Sequence, residues 1–262
     1  MSFDWPFFWA QLTNPSDLYL LALSRTITMA VLAMVLGVLI GTVVGFGRLS
    51  RFWIIRAICS FYVWLVRGIP VLVLLVFFFS GLAAAGFFRF SDINFLGMRI
   101  TASFQAAVIG LALHEGAYMA EIVRNGIQAV ARGQIEAAKS LGMGTWMLTR
   151  RIVLPQATRV IVPPLGNDFN HMLKTTSLAS VIGVQEIFQL TETLSASTFR
   201  TFELLIVLSL TYLLLTSAWN LIQGIIETKL RAYELDTSVK SWSEAVQVYL
   251  QSSIRTSGAR RS

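Results

Sequence analysis

Charged and hydrogen-bonding side chains interrupt two apolar stretches of this chain. His114 and Glu115 lie within Ile100 to about Ala120, and Asp168, His171 and Lys174 lie within Val160 to about Ile182. On a helix, Asn167, Asn170, His171 and Lys174 follow an i, i+3, i+4, i+7 pattern, and Asp168 and Thr175 join the side of His171. Polar groups in hydrocarbon are costly unless they face partners or water, so this face is expected to point inward. A solute that carries both signs of charge needs one anionic partner and one cationic or donor-rich partner. Asp168, Glu115 and Lys174 supply both signs. The same residues read equally well as buried pairs that hold spans together. His171 reads as an interhelical hydrogen-bonder rather than a proton switch.

Covalent and metal chemistry have less to stand on. There is no Gly-x-x-x-x-Gly-Lys-[Ser/Thr] phosphate loop, so ATP is not bound by that route. One Cys and two His residues, 57 positions apart, supply too few metal ligands. No Gly-x-Ser-x-Gly elbow marks a nucleophile. No catalytic residue, metal ligand or cofactor is therefore assigned to this chain.

The elements that must position these residues are membrane spans. The 262 residues are 55% hydrophobic and only 13% charged, against about 25% charged in soluble domains. Five stretches approach the ~20 residues that a helix needs to cross a bilayer. Ile27 to Phe46, Gly68 to Phe88 and Leu204 to Ile226 are uncharged, and the two polar-bearing stretches complete the set. With the N-terminus outside, fifteen of the 21 Lys and Arg fall in two inner loops and the tail, and four (Arg25, Arg89, Arg99, Arg200) fall outside. Short cytoplasmic loops collect such residues, so the expected topology is N-out, C-in. The net charge of +7 is then a topology signal, and no basic cluster interleaved with aromatics points to nucleic acid. Residues 1–17 read as an extracytoplasmic lead-in whose aromatics suit the headgroup layer, with no cleavable signal peptide. Residues 18–230 form the transmembrane domain and 231–262 a cytoplasmic tail. Cys59 packs as a small apolar residue.

Between Arg132 and Pro155 lies a stretch of another kind. Glu136-Ala137-Ala138 favours helix, and Gly142 ends it by accepting a left-handed conformation. Met143 to Val153 is expected to form a second helix ending at Pro155, with Trp146, Leu148 and Ile152 anchored on the membrane and Arg150 and Arg151 at the headgroups. Glu136-Ala137-Ala138, three residues, Gly142, nine residues, then Ile152-Val153-Leu154-Pro155 resembles the "EAA" loop of ABC-importer permeases. Arg67-Gly68-Ile69-Pro70 resembles the Arg-Gly-Thr-Pro of polar amino-acid permeases, with Ile69 in place of Thr. Ala117-Tyr118-Met119-Ala120-Glu121-Ile122-Val123-Arg124 resembles that family's Ala-Tyr-x-Ala-Glu-x-x-Arg. Pro163 to Phe169, followed by Leu173-Lys174-Thr175-Thr176-Ser177-Leu178, is similar to its Pro-Pro-Leu-Gly-Asn-x-Phe…Leu-Lys-Asp-Thr-Ser-Leu, with Thr175 where Asp is common.

The resemblance covers residues 15 to 230. It implies an all-α, polytopic permease of a type I ABC importer in the bacterial cytoplasmic membrane, with five transmembrane helices and a cytoplasmic coupling helix. It further implies an ATPase dimer that holds ATP and Mg, a second permease (identical or paralogous), an extracytoplasmic solute-binding protein and a polar amino-acid substrate. Glu136, Ala137, Ala138 and Gly142 become the contact to the ATPase. Glu115, Asn167, Asp168, His171 and Lys174 are the candidate substrate residues.

Structural roles fall to Arg67, Pro70, Glu121 and Arg124. Arg67 either snorkels to the interface or pairs with Glu121, and Pro70 starts or kinks the second span. Glu121 and Arg124, three apart, are placed for an ion pair. Gly37, Gly41 and Gly45 stack on one helix face as a packing seam, against a neighbouring span or the second permease. Three other readings compete: a permease for a non-amino-acid solute, an ion-coupled secondary transporter and a scaffold subunit. The absence of a visible repeat argues against the secondary transporter, and the buried charges of the fourth stretch argue against the scaffold.

Overall fold

Ser16 opens the first long helix. Its hydroxyl accepts from the Tyr19 N–H at 3.3 Å, Asp17 follows in the first turn, and Arg48 closes the last, so both ends complement the helix dipole. The structure, a computed structural model, describes residues 3–95 and 97–232. In order these form α1 (Trp5–Thr13), α2 (Asp17–Arg48), α3 (Trp53–Gly68), α4 (Val71–Val76), a π turn (Phe77–Gly81), α5 (Leu82–Ala84), β1 (Ile93–Phe95), β2 (Met98–Ile100) and α6 (Ala102–Gln128). Then come α7 (Arg132–Ser140), α8 (Thr145–Leu148), a π turn (Thr149–Val153), α9 (Leu154–Thr175), a 3-10 segment (Thr176–Ile182), α10 (Ile187–Thr198) and α11 (Thr201–Ala232).

Contacts divide the chain into two compact units, residues up to 124 with 171–214, and residues 125–170 with 215 onward. In the first unit α2 and α6 meet along the glycine seam. A Cβ on Gly37 would lie 2.8 Å from the Glu115 Cβ, and one on Gly45 3.0 Å from the Ala120 carbonyl; Gly41 faces Met119 and Ala120. The seam is therefore between neighbouring helices of one chain, at a spacing that only glycine permits. At the other end of the unit Phe8, Tyr19, Ile187, Val207 and Leu208 bury one another, joining α1, α2, α10 and α11. The lead-in forms a helix capped by Asp4 that packs through Phe8 and leaves Trp5 and Trp9 exposed.

Among the described residues three helices, α2, α6 and α11, are long and apolar enough to cross a membrane, and α3 with residues 71–84 makes a fourth candidate if the bent pair counts as one. α9 is long enough at 22 residues, but it carries the polar face. The second span differs from its expected form. Helix starts at Trp53, within what reads as a loop because of Arg51 and Arg56, and the chain turns by 106° between Gly68 and Val71. Pro70 causes the break: Ile69 before it is extended (φ −107°, ψ 131°), and α4 begins when Leu74 donates to the Pro70 carbonyl. The architecture is mostly helical, as expected; among the described residues one short hairpin interrupts it, with Ile93–Phe95 and Met98–Ile100 paired antiparallel and Ile93 opposite Ile100. The expected tail lies outside the described residues beyond Ala232.

Candidate coupling loop and transport face

α7 lies in the second unit and ends in a Schellman turn. Gly142 (φ +74°) donates to the Lys139 carbonyl at 2.9 Å, and Met143 donates to Ala138 at 3.1 Å. Nothing lies within 4 Å of where a Gly142 side chain would start, so the glycine is needed for its backbone alone. Glu136 and Ala137 are exposed while Ala138 is buried. Gln156 of α9 donates to Gln134 at 2.5 Å and ties the loop back to its own unit. Leu141, not singled out by sequence, is 84% exposed at the tip, beside the motif.

The following helix does not end at Pro155. α8 passes through the π turn into α9, so Pro155 sits inside a continuous helix; the ladder is carried up to it by the π turn, in which Leu154 donates to the Thr149 carbonyl. Leu148 is buried within the protein rather than on the membrane, whereas Trp146, Arg150 and Arg151 are exposed.

In the first unit, Glu121 gathers the basic residues of two elements. Arg48 of α2 pairs with it, and the Arg67 guanidinium lies 3.6 Å from the same carboxylate oxygen and 5.0 Å from the Tyr118 ring centre. The sequence offers Arg67 and Arg124 as partners; Arg67 lies within reach and Arg124 adds its charge nearby, while Arg48 joins them because Gly45 lets α2 approach α6 next to Ala120 and Val123. The Arg124 Nε is buried without a hydrogen bond among the described residues.

The candidate substrate residues separate into distinct environments. Glu115 is 4% exposed, beneath Gly37 of α2. In the second unit α11 engages the first part of the α9 face. Gln223 Nε2 donates to Asn167 at 3.1 Å, Asn170 bonds Asn220, and Trp219 Nε1 donates to the Gly166 carbonyl at 2.7 Å. Gln223 also reaches the Pro163 carbonyl at 3.4 Å and Glu227 at 2.8 Å. These donors tie α11 to backbone carbonyls of α9 at Pro163 and Gly166, in the stretch where Pro163 and Pro164 remove two N–H groups from the helix ladder. Trp219, Asn220 and Gln223 escape a reading that scores Leu204 to Ile226 only as uncharged, and Glu227 lies just past it; the i, i+4, i+8 spacing of Trp219, Gln223 and Glu227 is the signal that finds the seam. Asp168 is half-buried in the same stretch.

His171 and Lys174 belong to the first unit and are exposed. The His171 hydrogen bond is within its own helix: Nδ1 lies 3.1 Å from the Thr175 hydroxyl, which is also 3.0 Å from the His171 carbonyl. The expected interhelical bond is corrected to this i, i+4 pair, which leaves the Nε2 edge directed away from it.

Long apolar helices, a polar face along α9 and a bent second candidate span fit a membrane transport subunit. The family of binding-protein-dependent transport system inner membrane components matches residues 18–232, and this chain belongs to it. The arginine transport system permease protein ArgU of Corynebacterium glutamicum is 41% identical over 196 residues, covering 74% of this chain and 62% of that protein. The glutamine transport system permease protein GlnP of Escherichia coli K12 is 32% identical over 231 residues, covering 88% of this chain and 99% of GlnP. The nopaline transport system permease protein NocQ of Agrobacterium fabrum is 37% identical, covering 74% and 83%. Among solved structures, an amino acid ABC transporter crystallised with histidines is 34% identical with a TM-score of 0.76, covering 87% of this chain and all of that one. The MetNI methionine ABC transporter shares the fold at 19% identity, with a TM-score of 0.62.

Proposed function

We propose that this chain is one permease subunit of a type I ABC importer that moves a polar amino acid inward, with five spans, N-out and C-in, counting α9 as the fourth. The observation that carries the reading is α7: Glu136 and Ala137 stand exposed on a short helix ended by a left-handed Gly142, between α6 and α9. An ATPase dimer docks there, holding ATP and Mg. An extracytoplasmic binding protein delivers the substrate, and a second permease completes the path. Closure of the ATPase dimer moves α7, the permease pair reopens outward, and hydrolysis resets the inward state. The relatives named for arginine, glutamine and nopaline support an amino-acid cargo.

Within this chain, Asp168, His171 and Lys174 are the substrate contacts best supported. Asn167 and Asn170 hold α9 to α11 and set its angle, and Glu115 is packed under α2. The test is copurification of the ATPase with the assembled complex. Glu136→Lys should abolish it while the permease still inserts; retention of the ATPase would overturn the docking assignment. In a Cys59→Ala background, a cysteine at position 140 should label only from the cytoplasm and one at 195 only from outside. Asp168→Asn should raise the half-saturating substrate concentration about tenfold for cationic amino acids, a loss of ~1.4 kcal/mol, at unchanged complex yield. A fall in yield instead would make Asp168 structural.

A further inference from the structure

At the C-terminal end of α3 three arginines gather around one carboxylate. Glu121 of α6 pairs with Arg48 of α2, and the Arg67 guanidinium of α3 lies 3.6 Å from the same oxygen. Arg124, one turn along α6, adds a third guanidinium whose charge acts on Glu121. Three positive groups against one negative leave a local surplus of two. All four residues belong to the first unit.

The surplus is also one of donors. A guanidinium carries five N–H groups in a planar fork, whereas a carboxylate has only two oxygens to accept with. Among the described residues, the Nε of Arg48 and the Nε of Arg124 are buried and have no hydrogen-bond partner. A buried donor left unmade costs free energy, and a charged one costs more. An anion with several acceptor oxygens, such as a phosphate, supplies what the single carboxylate lacks.

The cluster adjoins an apolar surface. α3 buries Val63 and Val66 on one side, and its Tyr62 hydroxyl donates to the Leu113 carbonyl of α6 at 2.5 Å. The other side is open. Phe61 and Trp64 lie side by side, ring centres 5.7 Å apart, and Trp64 is 70% exposed. Phe61, Trp64 and Arg67 follow one another at three-residue steps, so the aromatic pair leads directly to the arginine. The Arg67 side chain is itself 42% exposed. A free phosphate makes no use of Phe61 and Trp64. A phospholipid uses both parts, the arginines for its headgroup and the rings for its chains, and indoles favour the headgroup layer.

We propose that Arg48, Arg67 and Arg124 bind the phosphate of an anionic phospholipid, whose acyl chains lie along Phe61 and Trp64. Such a lipid bridges α2, α3 and α6. Glu121 keeps its pairing, because the surplus positive charge is what faces the headgroup. Under the proposed topology this is the inner leaflet, where anionic lipids attract basic residues. The cysteine labelling tests that topology separately, and the site itself does not depend on it.

The experiment titrates the assembled complex in detergent with phosphatidylglycerol or phosphatidylcholine carrying brominated acyl chains. Quenching of Trp64 is read as the difference in tryptophan fluorescence between the wild type and Trp64→Phe. Phosphatidylglycerol should quench Trp64 at a concentration at least about tenfold lower than phosphatidylcholine. Arg67→Gln and Arg124→Gln should each cut that preference about threefold or more. Equal quenching by the two lipids, or an undiminished preference in either variant, overturns the site. If the arginine variants do not assemble, the wild type at about 1 M salt decides: an electrostatic preference should largely vanish there, and an unchanged one overturns the proposal. Inorganic phosphate in about hundredfold excess should not relieve the quenching; relief assigns the site to free phosphate and overturns the lipid. A Trp64 that neither lipid quenches, as beneath a second permease, overturns it too. The readout needs neither transport substrate nor ATP, so its failure is distinguishable from failure of the transport reading.

Discussion

Two helix ends in this protein have opposite surroundings. The C-terminal end of α7 is displayed, with open space around Gly142 and Leu141 almost fully exposed. The N-terminal end of α10 is enclosed, its cap Glu186 without solvent exposure and held by residues of α2 and α11. Each end satisfies its own orphan backbone groups, one through a glycine turn and the other through a carboxylate. The difference lies in what surrounds them. The enclosed end is covered by other helices of the chain, whereas the displayed end leaves Glu136, Ala137 and Leu141 exposed, where the proposed ATPase contact lies.

Substitutions that separate stability from coupling break or sharpen this contrast. The largest effect is expected for Glu186→Leu, which leaves two buried N–H groups uncapped. A loss of roughly 2–4 kcal/mol should cut the yield of monodisperse complex severely, as measured by size-exclusion chromatography after detergent extraction. A normal yield would mean that α10 is not held from this point. Gly142→Val comes next. A β-branched residue in the left-handed region costs about 1–2 kcal/mol, but locally and at the surface. Complex yield should stay within about twofold while substrate-stimulated ATP hydrolysis falls by tenfold or more; matched losses in both would erase the contrast. Leu141→Ser should change thermal stability least, within about 0.5 kcal/mol, yet weaken ATPase copurification severalfold. Unaltered copurification would show that the exposed leucine is not part of the docking surface.

Features made by neighbours along the chain are legible in the sequence. The Gly142 turn follows from a helix-favouring Glu136-Ala137-Ala138 and a glycine four residues on, and the structure has its φ at +74°. The four-residue spacing of Gly37, Gly41 and Gly45 signals a seam, though not its partner. Features made by distant residues are not legible in this way. Arg48 and Glu121 are 73 positions apart, and Thr26 and Glu186 are 160 apart. Nothing local distinguishes Arg48 from the other arginines of its loop, so helical spacing selects the nearer Arg124 instead. Asn220 and Gln223 are hidden for a different reason: they bear no charge, and a charge-based scan passes over amides that hydrogen-bond as strongly across helices. The π turn before Pro155 leaves no sequence signal because it keeps a helix going where proline usually marks its end. The candidate substrate face is half legible, since helical spacing aligns Asn167, Asn170, His171 and Lys174 along α9 but cannot tell that α11 occupies Asn167 and Asn170.

The glycine seam also has a mechanical meaning. At Gly37, Gly41 and Gly45 the α2 backbone rests directly on α6, with no flexible side chain between them to absorb a displacement. Interlocked surfaces of this kind resist sliding, because any axial step drives a Cβ of α6 into a backbone ridge of α2. Arg48 then bolts the end of α2 to Glu121 of α6. The two helices therefore behave as a single strut, and whatever rearrangement the transporter undergoes must carry them together.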